Sequence, residues 1–321
     1  MTYAMGEGEL RVLPAFANAC GVQSFVARGP APSRYESRLH DRRGKRLTLS
    51  VRLRNAIETD QLSLQYQPQY QLRDGHHCGV EALARWFLPN GAAIPPATFI
   101  PAAEKSSLIT ALGAWVLQEA CTTVAAWNRC GGILPVLCVN VSTRQITADF
   151  YAVLARTLER TGFPAHQLEL EITEGILIDK PELALNCLTQ WKRLGVRIAL
   201  DDFGTGYSSL SYLSRMPVDR VKVDKSLIHR MISDPKTAAI VRAVISLGVD
   251  LGFEVLAEGV ESEDQLAMLS GMGCQQVQGY LLALPECAEK AKALLASDWG
   301  GRPMARSRLE MRSDNRGSYA F

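Results

Sequence analysis

The stretch Gln167-Leu168-Glu169-Leu170-Glu171-Ile172-Thr173, the helical pattern at 181–194 and the run Val196-Arg197-Ile198-Ala199-Leu200-Asp201 follow one another as strand, helix and strand. Two parallel neighbours can be joined only through a crossover, so this order marks a parallel β/α unit. The alternation continues in both directions. Strand candidates fall at 62–70, 78–86, 136–142, 167–173, 196–201, 219–223, 253–258 and 274–279. Helix candidates at 107–130, 144–161, 181–194, 236–251 and 262–272 carry apolar residues three and four apart. Eight strands interleaved with helices predict an α/β fold closed as a TIM-type (β/α)8 barrel. Gly195, Gly252 and Gly273 stand just past helix ends, where left-handed caps are expected. Only Arg73-Asp74-Gly75-His76-His77 separates the first two strands, too little for a crossover helix. They are therefore expected to pair antiparallel, which makes the barrel a modified one with an antiparallel first strand.

Outside this pattern the chain reads differently. Residues 1–46 show no sustained period and no recognisable domain, a short helix is expected from Leu47 to Thr59, the barrel spans 47–295, and 296–321 reads as an Arg-, Ser- and Gly-rich flexible tail. Residues 10–20 faintly suggest a secretory leader, but Glu7 and Glu9 precede the run and Pro14 breaks it. The eight cysteines form no Cys-x-x-Cys pair and meet no His at zinc spacing. Buried free thiols in a reducing compartment follow, and with them a cytoplasmic location. A net charge of +2 gives no reason to expect DNA or an acidic membrane as partner. No uninterrupted apolar run has the length of a membrane span.

Alternation along a strand sends successive side chains to opposite faces. In 167–173 the Leu and Ile residues share the face suited to packing under helices, which turns Glu171 into the barrel. The same reasoning turns Asn140, Asp201, Lys222, Glu258 and Gln278 inward, with Asp202 just beyond its strand, and puts Glu81, Leu83 and Arg85 on one face of the second strand. Any one of these residues has a structural explanation, such as an ion pair or a turn. Together they place polar groups near the carboxyl ends of strand after strand, where barrel enzymes assemble their sites. Five carboxylates, on Glu81, Glu171, Asp201, Asp202 and Glu258, face the positive charges of Lys222 and Arg85. Buried unpaired charge is costly, so further cations are required. Oxygen donors with one Asn carbonyl favour Mg²⁺ or Mn²⁺ over zinc. Two such ions are the apparatus of phosphoester hydrolysis.

The hexapeptide Glu81-Ala82-Leu83-Ala84-Arg85-Trp86 resembles the motif that names the EAL phosphodiesterases. The likeness continues through Gln65-Tyr66-Gln67-Pro68, Val139-Asn140-Val141-Ser142, Glu171-Ile172-Thr173-Glu174, Asp201 to Ser209, Val221-Lys222-Val223-Asp224, Ala257 to Glu261 and Gln278-Gly279-Tyr280, in order over roughly 47–292. The resemblance implies cleavage of cyclic di-GMP to linear pGpG, two Mg²⁺ or Mn²⁺ ions per site and a homodimer. It implies that Glu81, Asn140, Glu171 and Asp201 hold one ion, and Asp201, Asp202 and Glu258 the other. Lys222 would hold the attacking water, with Glu258 as general base, so that Lys222, Glu258 and Glu81 are the catalytic set. Gln67, Leu83, Arg85 and Gln278 would meet the substrate or its waters. Glu174 would anchor the loop from Asp202 to Ser209 that couples the metal site to dimerisation.

One departure stands out. After Gln278-Gly279-Tyr280 the family usually has an aromatic and then a basic residue before proline, whereas this chain has Leu281-Leu282-Ala283-Leu284-Pro285. The change concerns the rim and not the acids. The alternative is a catalytically silent member of the same family that acts as a cyclic di-GMP receptor or protein-interaction module. Such members lose metal ligands, and none of the expected ligands is missing here.

Overall fold

A computed structural model of the chain describes residues 49–59, 61–129, 136–175, 181–204, 213 and 215–296. All belong to the second of the two units, Met1–Gly44 and Lys45–Phe321, into which the chain divides. The leading segment and almost all of the expected tail lie outside the described residues.

A helix over 49–58 (α1) leads into a hairpin of β1 (Leu62–Gln71) and β2 (His77–Phe87). Then come β3 (Ala93–Ile94), α2 (Pro96–Lys105), α3 (Ile109–Arg129), β4 (Val136–Val141), α4 (Ala148–Thr161) and β5 (Leu168–Thr173). The chain continues through α5 (Pro181–Arg193), β6 (Arg197–Phe203), β7 (Arg220–Val223), α6 (Lys225–Arg230), α7 (Pro235–Leu251), β8 (Glu254–Ala257), α8 (Glu263–Gly271), β9 (Gln276–Val277) and α9 (Ala288–Ala296). The sheet runs β1-β9-β8-β7-β6-β5-β4-β2, and pairing of β1 with β2 closes it into an eight-stranded barrel, with β3 hanging on the far end of β2. From β2 round to β9 every neighbour is parallel, whereas β1 runs antiparallel to both β2 and β9.

The helices begin and end where side chains provide for it. Asp234 accepts from the N–H groups of Lys236 and Thr237 to cap α7, with Pro235 following, while Ser262 and Gln265 form a reciprocal capping box on α8. Gly195, Gly252 and Gly273 have φ of +89°, +77° and +80°, as their positions past helix ends require. The short helices α2, α6 and α9 and the strand β3 have no counterpart among the sequence candidates. The pattern starting at 144 is split between a 3-10 turn, Thr143–Gln145, and α4.

By length and composition alone, Ile109–Trp127 of α3 would pass for a membrane span, at a mean hydropathy of 1.2, although Gln118 and Glu119 interrupt its apolar run. In the fold the apolar side of α3 is consumed by packing. Leu112, Val116, Leu117, Ala120, Cys121 and Val124 are buried in the core, as expected of a helix laid against a barrel.

Parallel strands are buried on both faces, and here the two faces differ in kind. Leu168, Leu170 and Ile172 of β5 are apolar and fully buried, while the alternate residues Glu169 and Glu171 are equally buried and charged. The barrel is filled by two polar layers. Nearer the amino ends of the parallel strands lie Gln69, Cys138, Glu169 and Arg220, and two residues further along lie Gln67, Asn140, Glu171 and Lys222. In the first layer Arg220 donates to Glu169 Oε1 at 2.8 Å and Gln69 Oε1 at 3.0 Å, and Glu254 Oε2 lies 3.1 Å from its Nη2. Arg197 adds bonds to Glu169 and Glu254. Each buried charge in that layer thus has an opposite one, as its desolvation demands.

Candidate functional site

The second layer lies beneath a cleft at the carboxyl ends of the strands, and of its members Gln67 reaches the lining whereas Asn140, Glu171 and Lys222 do not. Lys222 has 0% exposure, and its Nζ lies 2.7 Å from Glu258 Oε1, 2.9 Å from Glu171 Oε2, 3.2 Å from Asp201 Oδ1 and 4.0 Å from Glu81 Oε2. The strands place these groups for simple reasons. Lys222 sits between Val221 and Val223 on β7, and Glu171 between Leu170 and Ile172 on β5, so packing of their apolar neighbours outward commits them inward. Glu258 follows the last residue of β8 and is fixed by its N–H to Val223 O, while Gln278 follows β9 and is fixed by its N–H to Ala257 O.

Asp201 and Asp202 are consecutive, yet both reach the cleft. β6 extends to Phe203 rather than stopping at Asp201, its register slips between Leu200 and Phe203, and Asp202 has φ of +55°. The bulge adds the residue that alternation would have sent outward. Ligand-type oxygens of Asp201, Asp202 and Glu258 lie within 4.8 Å of one another.

Glu81 on β2 is gripped from two sides. Its Oε1 accepts from Asn140 Nδ2 and its Oε2 from Gln278 Nε2, both at 2.7 Å. Burial pushes this carboxyl up, but the Lys222 charge and these two bonds outweigh it and hold Glu81 below the usual carboxylate range. Burial raises Glu171 well above its ordinary value, raises Glu258 to about 8 and raises Asp202, with Asp201 adding to the upward push on all three. Lys222 is depressed by burial, yet Asp201, Glu171, Glu258 and Glu81 together drive it well upward.

These groups are short of positive charge. Both oxygens of Glu171, Asp201 Oδ1 and Lys222 Nζ are buried without a hydrogen bond of acceptable angle. One ammonium serves a crowd of acids. Oxygen donors gathered this closely, Glu81, Glu171 and Asp201 among them buried, fit hard divalent cations, whose binding would favour the ionised carboxylates. A second trio, Cys138, Glu169 and Glu171, also lies within 4.8 Å. It does not fit an ion, because Glu169 already has its oxygens engaged by Arg197 and Arg220.

The cleft has a volume of about 310 Å³ and is lined by Gln67, Glu81, Leu83, Asp201, Asp202, Glu258 and Gln278 of the expected set. Asp224, Lys225, Gly259, Glu261, Gly279 and Tyr280 line it as well and were not given roles from sequence. Most of them lie within or beside the quoted motifs, which was the available signal. Arg85 is not part of the lining. Its Nε donates to Gln65 Oε1 at 2.6 Å and one terminal nitrogen to Ala84 O, with Tyr280 and Glu81 as electrostatic neighbours, so it sits at the edge. Glu174 is buried beside the cleft and accepts the Gly204 N–H at 3.4 Å. Residues 205–209 of the loop it was expected to anchor lie outside the described residues.

Gly279 allows the two walls to touch. A Cβ there would fall 2.1 Å from Val260 O and 2.2 Å from Val260 N, backbone atoms that themselves bond to Leu281 and Gln278. Gly279→Ala is expected to cost about 1–3 kcal/mol through overpacking and to displace Gln278. Thermal unfolding should show a fall of roughly 2–12 °C, and an unchanged melting point would contradict this close approach.

A family model described as EAL domain matches residues 50–285. The chain belongs to the EAL domain family. It is 41% identical over 240 residues to the cyclic di-GMP phosphodiesterase PdeR of Escherichia coli, covering 74% of this chain and 36% of PdeR. To the bifunctional diguanylate cyclase/cyclic di-GMP phosphodiesterase MucR of Pseudomonas aeruginosa it is 40% identical over 263 residues, 82% of this chain and 38% of MucR. The solved PaMucR phosphodiesterase in its c-di-GMP complex superposes with a TM-score of 0.73 at 40% identity, covering 76% of this chain and 99% of that one. The chain spans about a third of the length of the curated relatives it matches.

Proposed function

We propose that this EAL domain, residues 47–295, hydrolyses cyclic di-GMP to linear pGpG with two bound Mg²⁺ or Mn²⁺ ions, and thereby lowers the level of that messenger. The observation that carries the reading is the gathering of Glu81, Glu171, Asp201, Asp202 and Glu258 around the single buried Lys222. A phosphodiester is an anion, and a cleft so rich in acids would repel it without additional cations. Glu81, Asn140, Glu171 and Asp201 would hold one ion, and Asp201, Asp202 and Glu258 the other. Asn140 donates its Nδ2–H to Glu81, which leaves its carbonyl oxygen as the donor atom. When bound, such ions neutralise phosphate charge and make water nucleophilic near neutral pH.

The remaining work falls to side chains. Lys222 would hold the attacking water by its ammonium, and Glu258 Oε1, 2.7 Å from Lys222 Nζ, would accept the water's proton. Gln67, Leu83 and Gln278 contact the nucleotide from the cleft wall, and Arg85 contacts it from the edge. Glu174, bonded to Gly204, secures the following loop, and the active form is a homodimer coupled through that loop. The free Cys121, Cys138, Cys187 and Cys274, all buried, are consistent with a reducing, cytoplasmic setting.

The test is to incubate the chain with cyclic di-GMP and Mg²⁺, Mn²⁺ or Ca²⁺ after chelator treatment, and to chromatograph the products. Linear dinucleotide is expected with Mg²⁺ or Mn²⁺. Ca²⁺ accepts oxygen ligands at longer distances and in looser geometry, so it is expected to retain the nucleotide without cleaving it. Retention without cleavage under every ion would mean that the chain is a receptor, and equal turnover with Ca²⁺ would overturn the two-ion reading.

A further inference from the structure

An amide can dock either way round, and its neighbours decide which end is which. Arg220 settles that choice for Gln69 and, through it, sets Gln278 in the sense that the acceptor-only Glu81 carboxylate also requires. Its guanidinium carries donors only, so the end of Gln69 that meets Nη1 at 3.0 Å is the carbonyl Oε1. Gln69 Nε2 is then the group facing Gln278 at 2.9 Å, and the facing atom of Gln278 must be its acceptor, Oε1. Gln278 consequently presents Nε2 to the cleft, where it donates to Glu81 Oε2 at 2.7 Å and Gln67 Oε1 at 3.0 Å.

The path is built to hold. Gln69 has 0% exposure, Arg220 1% and Gln278 4%, so no water competes for these bonds. Arg220 is fixed in turn by Glu169 and Glu254. A Cβ on Gly79 would lie 2.2 Å from Gln69 Oε1, so only glycine at that position on β2 lets the Gln69 amide lie across to Arg220.

We propose that Arg220, acting through Gln69, sets the polarity of the Gln278 amide and so holds Glu81 in the orientation its site requires. Gln69 and Arg220 are positioning residues. They lie in the layer beneath the cleft and act on it through Gln278. The use of Glu81 as an ion ligand rests on the phosphodiesterase reading, whereas the polarity of the relay does not.

The decisive variant is Gln69→Glu, made in the full chain. It keeps the shape and the bond to Arg220, but it presents an acceptor to Gln278. The Gln278 amide then lies between two carboxylates, so its NH₂ is drawn away from Glu81 toward residue 69 and its carbonyl is left facing an acceptor. Calorimetric titration with Mn²⁺ is expected to show about 10–100-fold weaker binding, the range typical for loss of a group that orients a metal ligand. The same substitution in a Gln278→Met background should add no further loss, because the relay acts only through Gln278. Parental Mn²⁺ affinity in Gln69→Glu, or losses that add in the double variant, would overturn the relay. If the carboxylate prevents folding, Gln69→Met replaces it in the same cycle and is read by the same two criteria. Nuclear Overhauser contacts from the Gln278 side-chain NH₂ supply a metal-free reading. They are expected to the Glu81 and Gln67 side chains in the parent and to the residue 69 side chain in Gln69→Glu. Unchanged contacts would overturn the relay. Should the parent chain neither bind Mn²⁺ nor cleave the nucleotide, the phosphodiesterase reading falls, and these contacts still decide the relay.

Discussion

Lys222→Met is expected to depress kcat by about 10²–10³-fold, the usual consequence of losing one preorganised donor, while changing KM little. The reason lies in where Nζ sits. It contacts Glu258, Glu171 and Asp201 at 2.7–3.2 Å and has no exposure to the cleft, so it is placed to act on a water held among the acids rather than to anchor substrate. An interaction realised chiefly in the transition state appears in kcat. The same substitution should destabilise the metal-free protein. It removes the one ammonium from a buried group of carboxylates, and breaking such an arrangement costs about 3–5 kcal/mol, or roughly 6–20 °C in melting temperature for a domain of this size. Mn²⁺ should restore part of that loss by supplying positive charge to the same oxygens. A rise in KM at unchanged kcat would make Lys222 a substrate anchor. A melting temperature equal to the parent's would mean that the acids do not depend on its charge.

The sequence disclosed the barrel because its apolar alternation was strong. On β5, Leu168, Leu170 and Ile172 identify the outward face and thereby commit Glu171 to the interior, and the same logic places Lys222 and Asn140. The antiparallel start was legible from the short loop at 73–77. Other features depended on information that periodicity does not carry. Asp202 reaches the cleft through a bulge with φ of +55°, a local slip with no signature in hydrophobicity. The helix α2 begins at Pro96 and contains Pro101, residues that disfavour a helix interior, so the segment carries little helical signal although its first proline is well placed to start it. The Nε of Arg85 is taken by Gln65, a partner that alternation alone does not name. The inner polar layer was visible in principle, since Gln69, Glu169 and Arg220 stand two residues from Gln67, Glu171 and Lys222 and therefore share their face. What the pattern could not give was their pairing, because Arg220 meets Gln69 and Glu169 across the barrel, at sequence separations of 151 and 51.

Glu81→Ala should abolish turnover, and the geometry around this residue shows why no neighbour can substitute for it. Glu81 is the acceptor for both Asn140 and Gln278. Its removal therefore deprives the site of an anionic oxygen donor and frees the two amides that framed it. Each hydrogen bond to a charged group is worth about 1.5–3 kcal/mol, so the alanine variant should also lose stability. Glu81→Gln separates the two effects. It keeps the volume and can still accept from Gln278, which the Arg220 and Gln69 bonds hold in one orientation. Its own NH₂ must then face Asn140, whose amide is free to rotate and answer with its carbonyl oxygen. The fold is retained, but the negative charge is gone and Asn140 has turned its donor oxygen away from the ion. Glu81→Gln should thus melt close to the parent, bind Mn²⁺ more weakly and show no linear product in the cyclic di-GMP assay. A near-parental rate for either variant under saturating Mg²⁺ would remove Glu81 from the ligand set. Weak Mn²⁺ binding with full turnover would separate ion capture from the chemical step.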